Sequence, residues 1–452
     1  SLLANIGAVM LKLERYAEAE RFCKRALNSD RTNSLAWKNL VIAQKYLAQL
    51  PSGGIEATYF VENRKAELAA MFERARQELD RNNYEAAIRC FDQILAKDSK
   101  NIVTILALAQ VYERQGEMGE ALKLIENALM TQGHSPELWI NYGVYLEFGG
   151  FYLKAEEAYN QALRYRLRYP DAEYNLGLLQ LRLSDSSKGW NLYEQRFNID
   201  RPIPRRHEYI APLRSIEKGY QKRVLVWAEQ GLGDAIQFVR FIPYLCESGL
   251  HIELEVPAPL VSIFRANLST TVSNQLGVNE TYDFQISLLS IPAMLSQKFK
   301  LDLASTPYLQ SRKTSSNLGQ VLDSNRLKIG MACSGNPDHG RDHERSIALK
   351  LFQPLLDLGQ VFLIQKEIRA TDRAALSYGF INLSDQLDDF EDTAAAARQM
   401  DLIVTVDSSL AHLAGAMGKQ VILLLPFYPD WRWGVSGSDS VWYPTMTLLR
   451  QE

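Results

Sequence analysis

Two rhythms of apolar and polar residues divide this chain, and they change over near residue 200. In the first part the apolar residues fall on helical spacing. Trp139, Tyr142, Gly143 and Leu146 mark one helix, and Ala155, Tyr159 and Ala162 mark the next. Pro136 stands near a helix start, where a missing N–H costs least. Small residues recur on a longer period. Ala19, Ala87, Ala121, Ala155 and Gly189 lie on one 34-residue grid, with Gly53 at the remaining step. A second grid, twelve residues earlier in each unit, holds Gly7, Val41, Ala75, Ala109, Gly143 and Gly177. From Arg223 the pattern changes to short apolar runs: 223–228, 251–256, 327–333, 361–365, 380–383, 402–406 and 421–425. Each reads as a buried parallel strand, with helical sequence between strands. One such helix is expected from about Asp234 to Ser248.

A 34-residue helix–turn–helix unit with small residues at these offsets is the tetratricopeptide pattern. The small residues belong where the two helices of a unit cross, because larger side chains would force the backbones apart. About six units fill 1–199, with a degenerate second unit in which Pro51-Ser-Gly-Gly54 interrupts the second helix. The sixth unit, Tyr174 to Phe197, adds Trp190, Tyr193 and Phe197. Stacked repeats bury a continuous core and leave a concave groove. A docked protein is the expected occupant; a spacer or a self-association module, giving a homo-oligomer, is the alternative. Beyond a linker at 200–222, alternating strands and helices predict two Rossmann-like parallel sheets. The expected class is α + α/β: a solenoid, then a GT-B-like pair of domains at 223–310 and 327–452, joined by a polar linker at 311–326.

Composition narrows the classes without choosing among them. A net charge of −3 gives no general drive toward nucleic acid or anionic membrane. No apolar run approaches the roughly 18 residues of a membrane span. Cys23, Cys90, Cys246 and Cys333 have no C-x-x-C spacing, so reduced thiols in a cytoplasmic protein are expected.

Three constellations fall at strand ends, where such sheets hold ligands. Gly231 and Gly233 in Gln230-Gly-Leu-Gly-Asp234 let a backbone approach a ligand, and Asp234 is either a general base or the cap of the next helix. Asp407-Ser408-Ser409-Leu410-Ala-His412 opens an apolar helix, whose N–H groups and dipole attract phosphate. There the alternative is a capped helix with a satisfied histidine. Ser334-Gly335-Asn336 follows a strand and precedes Arg345, which is either a counter-charge for a leaving phosphate or part of a solvated loop. The chain has no Walker sequence, no H-E-x-x-H and no Asp-x-Asp. Backbone amides and arginine or lysine would then carry a leaving phosphate without a metal cofactor.

The stretch from Trp190 to Gln451 resembles bacterial TPR-linked glycosyltransferases whose catalytic part is similar to the heptosyltransferase (family 9) enzymes. The matching motifs are Gly189-Trp-Asn-Leu-Tyr-Glu-Gln-Arg196, Ala228-Glu-Gln-Gly-Leu-Gly-Asp-Ala-Ile-Gln-Phe238, Asp392-Thr-Ala, Val406-Asp-Ser-Ser-Leu-Ala-His-Leu-Ala-Gly415, Pro429-Asp-Trp-Arg-Trp433 and Trp442-Tyr-Pro444. The layout is also similar to protein O-GlcNAc transferase and flagellin glycosyltransferases. The resemblance implies an inverting transfer from a nucleotide-sugar, with Asp234 as base, Arg345 as phosphate cation and Asp407–His412 as donor-binding helix start. It also implies a polypeptide acceptor held by the repeats and glycosylated on Ser or Thr. A glycan or lipid-linked acceptor, and a scaffold with an inactive transferase half, are the competing expectations.

Overall fold

The computed structural model describes residues 8, 10–11, 15–29, 33–47, 53–184, 186–275, 281–295, 303–313 and 325–451. Most of 311–326, together with Gly7, Pro51 and Ser52, lies outside them. The chain divides into two compact units, Ser1–Gln132 and Gly133–Glu452.

The first unit is a row of helices: α1 (Tyr16–Ser29), α2 (Ser34–Leu47), α3 (Gly53–Asp80), α4 (Tyr84–Lys97), α5 (Ile102–Arg114) and α6 (Met118–Gln132). Asn83 and Asn101 cap α4 and α5 by accepting the backbone N–H groups of Ala86 and Thr104. Ala19, Ala75, Ala87, Ala109 and Ala121 are fully buried, as the grid requires. The second repeat departs from it. Val41 is 59% exposed, and α3 runs 28 residues without a break, joining the second helix of that unit to the first of the next. Gly53 and Gly54 begin that helix and do not interrupt one. Two clusters of buried residues stand out among the described residues. Cys23, Ala26, Leu27, Ala36 and Leu40 form one cluster, and a separate one starts at Ala75 and runs through Phe91 and Ile94 to Val111.

The second unit opens with two more helical hairpins, α7 (Pro136–Phe148) with α8 (Tyr152–Tyr165), and α9 (Pro170–Arg182) with α10 (Ser186–Tyr193). Here the small residues show their purpose. A Cβ on Gly143 would lie 2.5 Å from the Tyr159 ring, and one on Gly177 would lie 2.8 Å from Leu192 Cβ. The last two repeats share a compact unit with the sheets that follow.

The first sheet holds β1 (Arg223–Trp227), β2 (His251–Glu255), β3 (Thr271–Ser273) and β4 (Phe284–Ser287), all parallel, in the order β3-β2-β1-β4. The second holds β5 (Leu327–Ala332), β6 (Gly359–Leu363), β7 (Ile381–Asn382), β8 (Leu402–Val406), β9 (Val421–Leu425) and β10 (Met446–Arg450), in the order β10-β9-β8-β5-β6-β7. That second order is the doubly wound 3-2-1-4-5-6 arrangement, and the first sheet is its 3-2-1-4 portion. Strand period decides the faces. Ile329, Met331, Val361, Leu363 and Val404 enter one core, while Ala332, Phe362, Ile364 and Ile403 enter another. β3, β4 and β10 carry too few residues, or too mixed a pattern, to stand out in the sequence. The helix expected over 234–248 is instead α11 (Leu232–Phe238), a 3₁₀ turn at Val239–Phe241, and α12 (Ile242–Glu247), with Pro243 at the start of the last.

Gly143→Ala is expected to lower stability by about 1–3 kcal/mol, because Tyr159 is fully buried and has no room to retreat. Gly119→Ala, in open space inside α6, is expected to be neutral or to stabilise by about 1 kcal/mol. Urea titrations of the two variants check the contrast.

Candidate functional site

Four loops meet at the carboxyl ends of the strands: those after β1, β5, β8 and β9. The loop after β1 is held from behind. Arg196, fully buried, donates to Glu229 Oε1 (2.9 Å) and to Ser290 Oγ (2.7 Å). Gln230 takes a φ of +60°, strained for a non-glycine residue, and donates to the Tyr193 hydroxyl at 2.9 Å. Asp234 is not the cap of α11. It sits at the third helical position and accepts the Gly231 N–H at 2.8 Å through Oδ2. Its Oδ1 accepts from Arg432 Nη2. Each carboxylate oxygen therefore holds one donor.

Arg432 comes from the loop after β9. Its guanidinium donates to Gln237 Oε1 (2.7 Å), Asp430 Oδ1 (2.8 Å) and Asp234, and stacks 4.4 Å from the Trp431 ring centre. It joins the first helix of one sheet to a loop of the other. Asp430 keeps 37% of its side chain open to water. Burial alone would raise its pKa, but the charge and hydrogen bonds of Arg432 hold it below the usual carboxylate value.

After β8 comes α16 (Ser409–Ala416; α13, α14 and α15 are Val261–Asn267, Ile291–Leu295 and Phe390–Arg398). Ser408 is the N-cap residue, but its hydroxyl pairs with Thr405 Oγ1 at 3.1 Å and leaves the helix start without a side-chain cap. Asp407 is pushed up to about 6, by desolvation first and by the neighbouring Asp430 charge second. His412 is buried, stacks 5.3 Å from Trp433, and hydrogen-bonds Tyr443 at 3.0 Å. A Cβ on Gly233 would stand 2.7 Å from His412 Cδ2, so the first turns of α11 and α16 touch there.

The loop after β5 is more self-contained. Ser334 accepts from Gln365 (3.3 Å), Gly335 N–H donates to Ser346 Oγ (3.1 Å), and Asn336 accepts the Asp338 N–H (3.0 Å). Arg345 lies over Gly335 and donates to Asp342 at 3.2 Å, and Asp342 also holds Arg369. Arg345 and Arg432 both act on Asp407 through space. The structure thus gathers Gly231, Gly233, Asp234, Asp407, Ser408 and His412 at one place, with Arg345 at its edge. Sequence reasoning gave no role to Arg432 or Asp430; the run Pro429-Asp-Trp-Arg-Trp433 was the available signal.

A further network fixes the loop after β9. Glu147 of the fifth repeat, 4% exposed, accepts from Tyr159 (2.6 Å) and Tyr428 (3.0 Å). Arg182 pairs with Glu147 at 3.5 Å and donates to the Pro429 carbonyl at 2.7 Å. Burial raises the Glu147 pKa despite Arg182 and the two tyrosines. No cluster of three or more His, Cys, Asp or Glu suited to a metal occurs among the described residues.

A tetratricopeptide-repeat family model matches residues 78–140. The chain is 21% identical to Protein FlbA of Caulobacter vibrioides, over 96% of this chain and 87% of that protein. It also resembles a thermophilic TPR protein of Thermus thermophilus (18% identity, 44% of this chain and 90% of that chain, TM-score 0.25). A tetratricopeptide repeat protein from Parabacteroides merdae is similar at 15% identity (44% of this chain, 80% of that chain, TM-score 0.27).

The raised Asp407 pKa has a stability consequence with a definite sign. The folded state holds this proton more tightly than the unfolded chain, whose carboxyl titrates near 3.8. Asp407 therefore opposes folding increasingly as pH climbs from about 4 to about 6, and constantly above that. Asp407→Asn should gain in melting temperature relative to the parent over that window, and the difference should shrink toward pH 4. Paired melting curves across pH check this.

Proposed function

We propose that this protein is an inverting, nucleotide-sugar-dependent glycosyltransferase of GT-B type whose acceptor is a polypeptide held by the repeats. The carrying observation is the meeting of Asp234, Arg432, Asp407 and His412 at the carboxyl ends of two doubly wound sheets, where such sheets take ligands. In this reading the α16 N–H groups and the Arg345 side chain receive the donor diphosphate. Asp234 removes the acceptor hydroxyl proton as the sugar carbon is attacked and the nucleoside diphosphate leaves. Arg432 and the Gly231 N–H each take one position on the Asp234 carboxylate, which leaves further lone pairs to accept the hydroxyl proton while Arg432 holds the group in place.

Arg196 and Glu147 give the repeats a second task in this scheme: they brace the loops that carry Asp234 and Arg432. Recruitment and chemistry are then coupled through the fifth and sixth units. The alignment with Protein FlbA runs through both parts of this chain, covering 96% of it and 87% of that protein, which is compatible with the two parts acting together.

A panel of UDP-, GDP-, CMP- and ADP-sugars, scored by nucleotide release with and without candidate acceptor proteins, tests the reading. Asp234→Asn is expected to retain donor binding and lose on the order of 10²-fold or more in turnover. Near-parental turnover in that variant would remove Asp234 as base. Turnover should persist in excess chelator, since the sequence has no Asp-x-Asp and amides can carry the phosphate. Loss of activity restored by Mg²⁺ or Mn²⁺ would overturn the metal-independent scheme.

A further inference from the structure

We infer that the second repeat is completed by a second copy of this chain: residues 53–63 of each copy, the start of its α3, cover the α2 face that carries Val41 in the other. The inference is independent of the transferase reading, and its test uses the protein alone.

The packing of the other repeats identifies the contact. A Cβ on Gly143 would meet the Tyr159 ring, sixteen positions on, and one on Gly177 would stand 2.9 Å from the Tyr193 backbone nitrogen, again sixteen on. At the same offset from Ala75 and Ala109 come Phe91 and Ile125, both buried, and Phe91 shares a cluster with Ala75. A small residue on the first helix therefore goes with a large buried one on the second. In the second repeat the sizes trade places. The first helix carries Val41, and the residue sixteen on is Ala57. The exchange keeps the combined bulk that close-packed helices require.

Yet Val41 is 59% exposed, and Trp37, one turn earlier, is 51% exposed. Ala36 and Leu40 of the same helix are buried with Cys23, Ala26 and Leu27 of α1, so α2 packs on α1 by a different face. Lys38 and Lys45 are exposed beside Val41, and α2 has no acidic residue. An exposed apolar patch rimmed by charge marks an interaction surface. Residues 53–63 carry Glu56 and Glu62 and no basic residue, so charge as well as size is complementary.

Within one copy this segment does not lie over Val41. It is the start of a helix that continues without a break to Asp80, about 42 Å at 1.5 Å per residue. The far half of that helix belongs to the third repeat, where Ala75 packs with Phe91. Each copy thus offers an open α2 face and the segment whose sequence fits it. Exchange between two copies is reciprocal, so the contact is isologous and closes at a dimer.

Light scattering on the full chain, during gel filtration, reads the mass. A dimer is expected for the parent and a monomer for Val41→Asp, whose new charge stands on a face that is open in the single copy. A parent that is monomeric at every concentration, or a dimer that survives Val41→Asp, overturns the inference. A cysteine pair tests the register. In a Cys246→Ser background, which removes an exposed thiol, Val41→Cys combined with Ala57→Cys should oxidise to a species of twice the chain mass. Neither cysteine alone should do so. A disulfide within one chain overturns the inference, because α3 then breaks and folds back on its own α2. Absence of any disulfide overturns it too, because the two segments then do not meet. Should Val41→Asp fail to fold, the cysteine pair decides alone.

Discussion

The site depends on a buried guanidinium. Arg432 reaches Asp234 and Gln237 of the first α/β layer and Asp430 of its own loop, and these contacts bring together residues 198 positions apart in the chain. A buried arginine is costly to desolvate, and it is tolerated only where carboxylates and amides surround it. That requirement fixes the spacing of the two sheets at their carboxyl ends. Arg196 and Arg182 repeat the device. One ties the last repeat to Glu229, next to the Gly231 loop; the other ties the fifth and sixth repeats to the loop after β9. Removing one partner from such a pair strands a buried charge, at a cost of about 3–5 kcal/mol. The three arginines are thus better understood as organisers of geometry than as a reserve of stability.

The consequence is that the last two repeats and the sheets are one compact unit, Gly133–Glu452. Trp190 shows why. It is 1% exposed and packs edge-on against Phe238 of the first layer and Trp431 and Trp442 of the second. A solenoid whose final helices serve as core for the neighbouring sheets needs no separate polar cap at that end.

Local periodicity made the helical repeats and most strands legible in the sequence. Gly143 and Gly177 announced close helix crossings because only a missing Cβ permits them. The strand order was not legible, since it is set by which short parallel strands neighbour one another. Nor was the merging of two repeat helices into α3, because Gly53 and Gly54, which read as a break within a helix, stand at its start. Asp234, Asp407 and His412 stood out by lying at strand ends. The partners that give them their character, Arg432, Asp430 and Tyr443, did not: each acts across a long sequence separation, and no spacing rule encodes that.

The central claim is that this chain places a sugar on a protein, using Asp234. The most direct measurement is mass spectrometry of acceptor proteins co-expressed with the parent chain or with Asp234→Asn. The account predicts a discrete glycosyl mass increment on Ser- or Thr-containing peptides with the parent chain, absent with the variant. The same increment with both chains, or none with the parent while its donor is present, would contradict it.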